Sequence, residues 1–231
     1  MPLRMSPSDP HPPLRTFGRV KSRTIKPAQG VLLETLLPQI AVPLDQPLTR
    51  DGLRAGRDEL WLEIGFGGGE HLGGQAGRHP RATLIGAEPF LNGAASALRH
   101  IDEAGLTNVR LHVGDARDIL DRLPDASLDR VFILFPDPWP KVRHHKRRLI
   151  QPAFVADLVR VLVPGGRLRF ATDWADYADW ALQRLIAHPE LTWTAERADD
   201  WRAPPADHVT TRYQEKGLGD IAPVYLDLIR R

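Results

Sequence analysis

The sequence predicts an α/β fold in three layers (α/β/α), with helices on both faces of a mostly parallel, seven-stranded sheet. Two observations predict it. From residue 60 onward, five short apolar runs of β character alternate with stretches of helical character. After the fifth unit come LTWTAER and PVYLDLIR, two strand-like runs joined by a polar loop with no clear helix, which predict an antiparallel hairpin at the C-terminal edge.

The five predicted parallel strands are LWLEI (60–64), ATLIGAE (82–88), VRLHVGD (109–115), LDRVFILF (128–135) and GRLRFATD (166–173). Helices are expected near residues 70–79, 91–104, 116–123, 149–162 and 174–187. The nearly continuous apolar character of VFILF indicates a strand that is buried on both faces, in the middle of the sheet. The turn VPGG ends one helix before the fifth strand begins.

Length and composition favour one sizeable domain, because 231 residues with 42% hydrophobic content can form a single large core. The 31 Lys and Arg residues nearly balance 29 Asp and Glu residues, so the position of the charges matters more than the net charge of +2. The absence of cysteine excludes disulfides, thiolate metal sites and a cysteine nucleophile, and it suits a reducing cytosol.

The N-terminal region has no apolar segment of the kind found in signal peptides, and no run approaches the roughly 18 apolar residues of a membrane span. We therefore expect a soluble, cytoplasmic protein with no membrane partner. Five prolines fall within the first 13 residues, which predicts a disordered tail over residues 1–13.

Acidic residues stand at or just beyond the end of all five predicted parallel strands. Ligands of open α/β sheets bind outside the carboxyl ends of the strands, so these positions are the first candidates for a binding site. The five residues are Glu63, Glu88, Asp115, Asp137 and Asp173.

A glycine-rich segment, EIGFGGGE, directly follows the first strand. Gly65, Gly67 and Gly69 can form a tight turn and let a ligand approach the backbone. The same glycines could simply make the turn between strand and helix, or could belong to a site for a nicotinamide dinucleotide. The spacing GxGxG, rather than GxGxxG, makes the dinucleotide less favoured.

The next two strand ends fit an adenosine ligand. Glu88 can accept hydrogen bonds from both ribose hydroxyls, Asp115 can accept one from the adenine amine, and Ala116 can offer its backbone N–H to a ring nitrogen. With the glycine loop, this pattern resembles the S-adenosylmethionine (SAM) site of class I methyltransferases, which have a Rossmann-like fold. That ligand carries a positive sulfur and no phosphate, so acidic strand ends suit it.

The segment FPDPWPK follows the most apolar strand. Its prolines restrict the backbone, so the loop would hold Asp137 and Trp139 rigidly beside the reactive methyl group. The alternative interpretation is a stiff surface turn with a packed tryptophan.

A dense basic run follows this loop and begins at the mouth of the predicted site. Such a run usually marks a solvated face, but here we expect it to contact nucleic-acid phosphates. The two histidines have no partners at metal-ligand spacing, so we expect no metal and assign them to RNA or solvent. The predicted RNA contacts are Arg143, His144, His145, Lys146, Arg147 and Arg148.

Five stretches carry a family resemblance: EIGFGGGE, GDA, LFPDPWPKVRHHKRR, FATDWADYA and TTRYQEKG. With them, the chain resembles the bacterial tRNA (guanine-N7)-methyltransferases over nearly its whole length beyond the first dozen residues. RTFGRVKSRTIKPAQG is similar to the RNA-binding arm of that family. The resemblance therefore implies a basic RNA-binding arm at residues 14–40 and a SAM-dependent methyltransferase domain at residues 41–231.

The resemblance also implies the reaction, which is methyl transfer from SAM to N7 of guanine in the variable loop of tRNA, at position 46 in tRNA numbering. It implies that Glu63, Glu88, Asp115 and Asp137 contact the cofactor. A carboxylate near the base would stabilise the positive charge that develops on the purine, so Asp137 and Asp173 are candidates for this role, and we expect Asp137 to be catalytic. It places Lys141, Asp173, Thr211, Arg212, Tyr213 and Gln214 at the target nucleotide. The sequence departs from the family at Gln214, where a Glu is usual.

Three other functions remain open at this stage. One is a SAM-dependent methyltransferase that acts on an exocyclic amine or on another RNA, because DPWP resembles the loops of amino-methylating enzymes. Another is a tRNA-binding protein without catalysis. A nicotinamide-dependent oxidoreductase is the most distant. The sequence leaves open whether the protein is a monomer or a homodimer.

Overall fold

The computed structural model describes residues 24–231, which form one seven-stranded sheet with the order β3-β2-β1-β4-β5-β7-β6. The strands are β1 (Glu59–Ile64), β2 (Ala82–Ala87), β3 (Val109–His112), β4 (Leu128–Leu134), β5 (Leu162–Thr172), β6 (Leu191–Trp193) and β7 (Val224–Arg230). The first five strands are parallel, and β7 pairs antiparallel with both β5 and β6. The predicted mostly parallel sheet with an antiparallel hairpin at its edge is confirmed.

The helices are α1 (Pro27–Thr35), α2 (Leu37–Ile40), α3 (Arg50–Arg54), α4 (Glu70–Arg78), α5 (Leu91–Glu103), α6 (Arg117–Leu120), α7 (Pro152–Val161), α8 (Ala175–Ile186), α9 (Asp199–Arg202) and α10 (Arg212–Glu215). A 3-10 helix, Val142–Arg147, covers most of the basic run. The expectation of no helix between the last two strands was wrong, because α9 and α10 each form one turn there. Helix α7 begins at Pro152 rather than at 149, since proline is favoured in the first turn.

The core has two apolar clusters, one on each face of the sheet. Alternate residues of β1 divide between them: Leu60 and Leu62 belong to the cluster under α7 and α8, and Trp61 belongs to the cluster under α4 and α5. Strand β4, which contains VFIL (131–134), lies between β1 and β5 as its apolar character predicts. Its central position places the following loop, with Asp137, in the middle of the sheet edge.

Helices α1 and α2 pack on the α5 side of the sheet. Their apolar residues, including Leu32, Leu37 and Ile40, contact that cluster, and the backbone N–H of Val42 donates to the carbonyl oxygen of Leu111 at 2.9 Å. The later part of the predicted arm is therefore docked on the domain. The tail (1–13) and residues 14–23 of the arm lie outside the described residues, so their roles stay predictions. Within residues 24–231, the structure contains no helix with the length and apolar character needed to cross a bilayer.

Candidate active site

The carboxyl ends of the central strands open into a cleft of about 900 Å³. Glu63, Glu88, Asp115 and Asp137 all line this cleft, because the parallel strands β1 to β4 bring their carboxyl ends to the same edge of the sheet. Asp173, directly after β5, is buried and does not line the cleft. We call this lined space the acidic cleft.

The glycine loop forms one wall of the acidic cleft. Gly65, Gly67 and Gly69 all have positive φ angles, of 76°, 53° and 83°, which side chains other than glycine rarely adopt. A Cβ atom on Gly69 would lie 2.5 Å from the Cβ of Ala97 on α5, so this position also has no room for a side chain. All three glycines therefore serve the turn. Gly65 and Gly67 also line the cleft, whereas Gly69, predicted as a cofactor contact, packs against α5 and does not line it.

A carboxylate already occupies the start of α4. Glu70 is the first residue of that helix, and its Oε1 would lie 2.5 Å from a Cβ atom on Gly68. The same oxygen pairs with Nε of Arg212 at 3.0 Å. Helix N-termini favour anions, and at α4 the carboxylate of Glu70 provides that negative charge. A bound pyrophosphate would be repelled there, which argues against a dinucleotide.

Glu88 is held in place by two backbone donors. Its Oε2 accepts from the N–H of Gly67 and its Oε1 accepts from the N–H of Phe90, both at 2.9 Å. Burial raises the pKa of the Glu88 carboxyl, against the opposing effect of these two hydrogen bonds. Each oxygen keeps a further lone pair, so the fixed carboxylate can also accept from two ribose hydroxyls.

Glu63 and Asp115 each have a partner that the sequence reasoning missed. Glu63 Oε2 lies 2.7 Å from Nδ1 of His71, and both side chains are buried. Asp115 accepts from the backbone N–H of Arg117 at 3.0 Å and from its guanidinium at 2.7 Å. These contacts orient both carboxylates. A basic residue two positions after Asp115 was a visible signal for the second pair.

The loop after β4 departs from ordinary backbone geometry on both sides of Asp137. Phe135 and Trp139 have φ angles of 52° and 45°, which are uncommon for large side chains and are typical of functional loops. Asp137 is exposed to the cleft. The protein around its carboxyl nevertheless removes part of its hydration, and this partial burial raises the pKa of the carboxyl. The ring of Tyr213 faces that of Phe135 at a centroid distance of 5.7 Å.

The lining chemistry fits SAM. The oriented carboxylate of Glu88 and the nearby carboxylates can accept hydrogen bonds from hydroxyl and amino groups, and they favour a positive sulfur. Aromatic walls can hold an adenine ring. They are formed by Phe66, Phe90, Trp139 and Phe154, of which only Trp139, expected beside the reactive methyl group, was singled out from the sequence.

The 3-10 helix Val142–Arg147, which we call the basic helix, presents its charges at the mouth of the cleft. Lys141, Arg143 and Lys146 are exposed. The guanidinium of Arg147 lies 4.9 Å from the ring centroid of Trp139, and His144 meets the same ring edge-on. Among residues 24–231, no cluster of His, Cys, Asp or Glu could hold a metal ion.

Arg148 corrects the sequence interpretation. We expected it to face RNA, but it is only 2% exposed. It donates to the carbonyl oxygen of Pro138 at 2.8 Å, forms an ion pair with Asp176 and lies over the rings of Tyr177 and Trp180. Its aromatic and carboxylate partners all come from α8, so Arg148 ties the FPDPWPK loop to that helix. His145, 3.5 Å from Asp176, lies beside this contact.

The residues expected at the target nucleotide do not all meet. Thr211, Arg212 and Tyr213 line the cleft, whereas Lys141 is exposed outside its lining. Gln214 accepts from Nε2 of His208 at 2.8 Å and donates to the hydroxyl of Tyr225 at 3.0 Å. Its amide therefore makes internal hydrogen bonds within the C-terminal region. Lys216 lines the cleft and was not predicted.

Comparison with known proteins places the chain in a family. Residues 57–225 match the family model described as "Putative methyltransferase". A tRNA (guanine-N(7)-)-methyltransferase of Caulobacter sp. (strain K31) is 62% identical over 97% of this chain and 98% of its own length. The protein of that name from Hyphomonas neptunium is 49% identical over 93% of this chain and 98% of its own length.

Solved structures that resemble the chain are more distant. A 16S rRNA (adenine(1408)-N(1))-methyltransferase from Catenulisporales acidiphilia, solved with SAM, has a TM-score of 0.55 at 15% identity. The match covers 82% of this chain and 92% of that one. An rRNA methylase from Streptococcus thermophilus has a TM-score of 0.51 at 12% identity, over 78% of this chain and 93% of its own. These matches support the Rossmann-like class I fold.

Proposed function

The chain belongs to the family of bacterial tRNA (guanine-N(7)-)-methyltransferases, and from this membership we propose that it methylates the variable-loop guanine of tRNA, at position 46 in tRNA numbering. The enzyme uses SAM and acts on N7 of guanine. The proposed residue roles rest on one observation above all. The four predicted carboxylates Glu63, Glu88, Asp115 and Asp137 and three residues of the segment 211–214 line a single cleft, with the basic helix at its mouth.

Glu88 and the glycine loop would hold the adenosine part of SAM, with Asp115 and Ala116 at the adenine edge. Glu63, oriented by His71, would accept from the amino group of the methionine part. When bound, SAM supplies a methyl group on a positively charged sulfur. The chain supplies the orientation, since each of the three carboxylates accepts a hydrogen bond from its own chain.

Asp137 would be the catalytic residue. Guanine N7 carries a lone pair and no proton, so the reaction needs no general base. As the methyl group moves, positive charge develops on the purine, and a carboxylate beside it stabilises that charge. The stiff loop keeps Asp137 at the opening between cofactor and nucleotide, and tight positioning provides the remaining advantage. Tyr213, facing Phe135, would hold the base from the other side.

Lys141, Arg143 and Lys146 would contact tRNA phosphates, and the arm 14–40 would add further contacts. His144 and Arg147, packed on Trp139, would contribute at the cleft mouth, and His145 at its rim. Asp173 would act through Tyr213, since its charge is among those that affect the pKa of the Tyr213 hydroxyl. We also propose that the enzyme acts in the cytoplasm, where its tRNA substrate is found.

A direct test is to incubate the protein with bulk tRNA and SAM labelled in the methyl group, and then to map the modified nucleotide. We expect 7-methylguanosine at the variable loop and no methylated exocyclic amine. Methylation of adenine or of an amino group would overturn the assignment. Tight tRNA binding without methyl transfer would instead indicate a binding protein that retains the fold.

A further inference from the structure

Residues 207–214, which we call the strap, belong to the segment between β6 and β7 and lead to the cleft. The strap contains three of the residues proposed to hold the nucleotide, Thr211, Arg212 and Tyr213. It has little regular structure, since only one turn of helix, α10, begins in it. Some feature of the chain must therefore fix its position against the cleft, because loop segments are otherwise mobile.

Asp207, at the start of the strap, is held by two arginines of the sheet. Its Oδ1 accepts from Arg169 on β5 at 2.5 Å, and its Oδ2 accepts from Arg130 on β4 at 2.7 Å. Arg169 is itself fixed by a two-pronged contact with Asp227 on β7, at 2.7 and 2.9 Å. Burial alone would raise the pKa of Asp207, but the hydrogen bond and charge of Arg169 and the charge of Arg130 lower it to about 2.

The strap also lies along one face of α4. The backbone oxygen of Asp207 accepts from the side chain of Gln75 at 2.7 Å and from Arg78 at 3.1 Å. Val209 packs so closely on Gly74 that a Cβ atom there would lie 3.0 Å from it. Together with the Arg212–Glu70 pair, these contacts fall at positions 70, 74, 75 and 78, which share one side of a helix.

Gln75 connects this contact to the acidic cleft. It is fully buried, and its amide nitrogen lies 3.2 Å from Nε2 of His71, whose Nδ1 contacts Glu63. An amide nitrogen donates, so His71 accepts at Nε2 and its Nδ1 carries the proton given to Glu63. One line of hydrogen bonds thus runs from the cofactor carboxylate to the strap.

We propose that Asp207 is a positioning residue of the methyl-transfer reaction, which clamps the strap to β4, β5 and α4 so that residues 211–213 face the cleft. This proposal rests on the proposed role of those residues at the target nucleotide. Asp207 does not line the cleft. Its removal therefore acts on the position of the nucleotide and leaves the cofactor contacts in place.

The test compares Asp207→Asn with Asp129→Asn in the full-length protein. Asp129 is a matched control: it pairs with Arg50 at 2.8 Å, is 22% exposed against 26% for Asp207, and has its partners, Arg50 and the backbone N–H of Leu60, outside the strap. For Asp207→Asn we expect the KM for tRNA to rise at least about tenfold, a factor worth roughly 1.4 kcal/mol. The affinity for S-adenosylhomocysteine, measured by calorimetry, should stay within about twofold.

Two further variants separate positioning from folding. Asp207→Glu retains the charge, and its KM for tRNA should lie close to the wild-type value. Gln75→Met, which leaves no buried charge behind, should raise the KM in the same direction by a smaller factor. Hydrogen exchange should become faster over residues 207–216 in Asp207→Asn and Gln75→Met, with unchanged exchange in β1 and β2.

An unchanged tRNA KM in Asp207→Asn would overturn the proposal, as would an equal rise in Asp129→Asn or a matching loss of cofactor-product affinity. Unchanged exchange in the strap would show that Asp207 does not hold it. These measurements differ from the test of the proposed function, because strap exchange is measured without methyl transfer. Failure of the wild-type protein to make 7-methylguanosine would leave the exchange result intact.

Discussion

The acidic cleft and the basic helix differ in how their charges are held. In the cleft, Glu63, Glu88 and Asp115 each accept a hydrogen bond from another group of the chain, so their orientation is fixed before any ligand arrives. On the basic helix, Arg143 and Lys146 reach into solvent. Cofactor binding should therefore depend on the geometry of individual residues. Binding of tRNA should depend on the number of cations, since phosphate contacts contribute mainly by releasing counterions.

The largest expected effect comes from Asp137, at the boundary between the two regions. Asp137→Ala should lower the methylation rate by about 10²- to 10³-fold, the typical effect of losing one group that stabilises transition-state charge. The affinity for tRNA should change by less than about threefold, because phosphates provide most of it. Single-turnover rates at saturating SAM and tRNA, with filter binding of tRNA, measure the two quantities. A near-normal rate would remove Asp137 from the catalytic role.

The next effect contrasts two parts of the basic run. Replacing Arg143 and Lys146 together by Ala should weaken tRNA binding by about tenfold and reduce the slope of log affinity against log salt by roughly 1.5 to 2. Stability should change little, because both side chains are exposed. Binding isotherms at several salt concentrations test this. An unchanged slope would contradict the assignment of these residues to phosphate.

Arg148→Ala is the counterpart from the buried side. It should lower the free energy of unfolding by about 2 kcal/mol, for the lost hydrogen bond to Pro138 and ion pair with Asp176. The ion pair contributes little to this value, because the Asp176 side chain is 64% exposed and solvent screens its charge. The salt slope of tRNA binding should stay that of the wild type. A change in slope without loss of stability would return Arg148 to the RNA-binding set.

The smallest effect is a dependence of cofactor affinity on pH. Burial raises the pKa of Glu88 and of Asp137, so both gain a proton at a higher pH than ordinary carboxyl groups. As the pH falls from neutral towards the range where ordinary carboxyl groups gain a proton, SAM affinity should therefore fall a few-fold, because negative charge is lost from the site. Because the pKa of each group is raised in the folded protein, protonation of Glu88 and Asp137 stabilises the unliganded fold. The expected loss of SAM affinity at low pH is therefore not caused by unfolding through these two groups. Calorimetry on wild type and Glu88→Gln tests this, since the variant should show a weaker pH dependence.

The parts of the molecule that the sequence predicted are those with local signals. Strand runs, the glycine loop and the acidic strand ends depend on neighbours within a few residues, and the structure places four of the five acidic residues in one cleft. Arg148 and Asp207 depend on distant partners. Arg148 pairs with a residue 28 positions away, and Asp207 with residues 77 and 38 positions away.

The direction of a side chain is equally hidden in the sequence. Within the run KRR, the 3-10 helix exposes Lys146 and ends before Arg148, which then turns inward beneath the loop. No periodicity over three residues could distinguish them. Gln214 was noted as a departure from the family, yet its partners His208 and Tyr225 could be found only from the folded strap. A Glu at that position would accept from both.

The place of β7 in the sheet has a consequence for the newly made protein. Among the described strands, β6 hydrogen-bonds only to β7, which lies between it and β5. A chain emerging from the ribosome folds from its amino end, so β1 to β5 can pair as they appear. Strand β6 emerges before its partner β7, and the strap emerges before Asp227 of β7, which fixes the Arg169 that holds Asp207. We therefore expect a nascent chain to complete the strand ends that form the acidic cleft before it can fix the strap that faces the cleft.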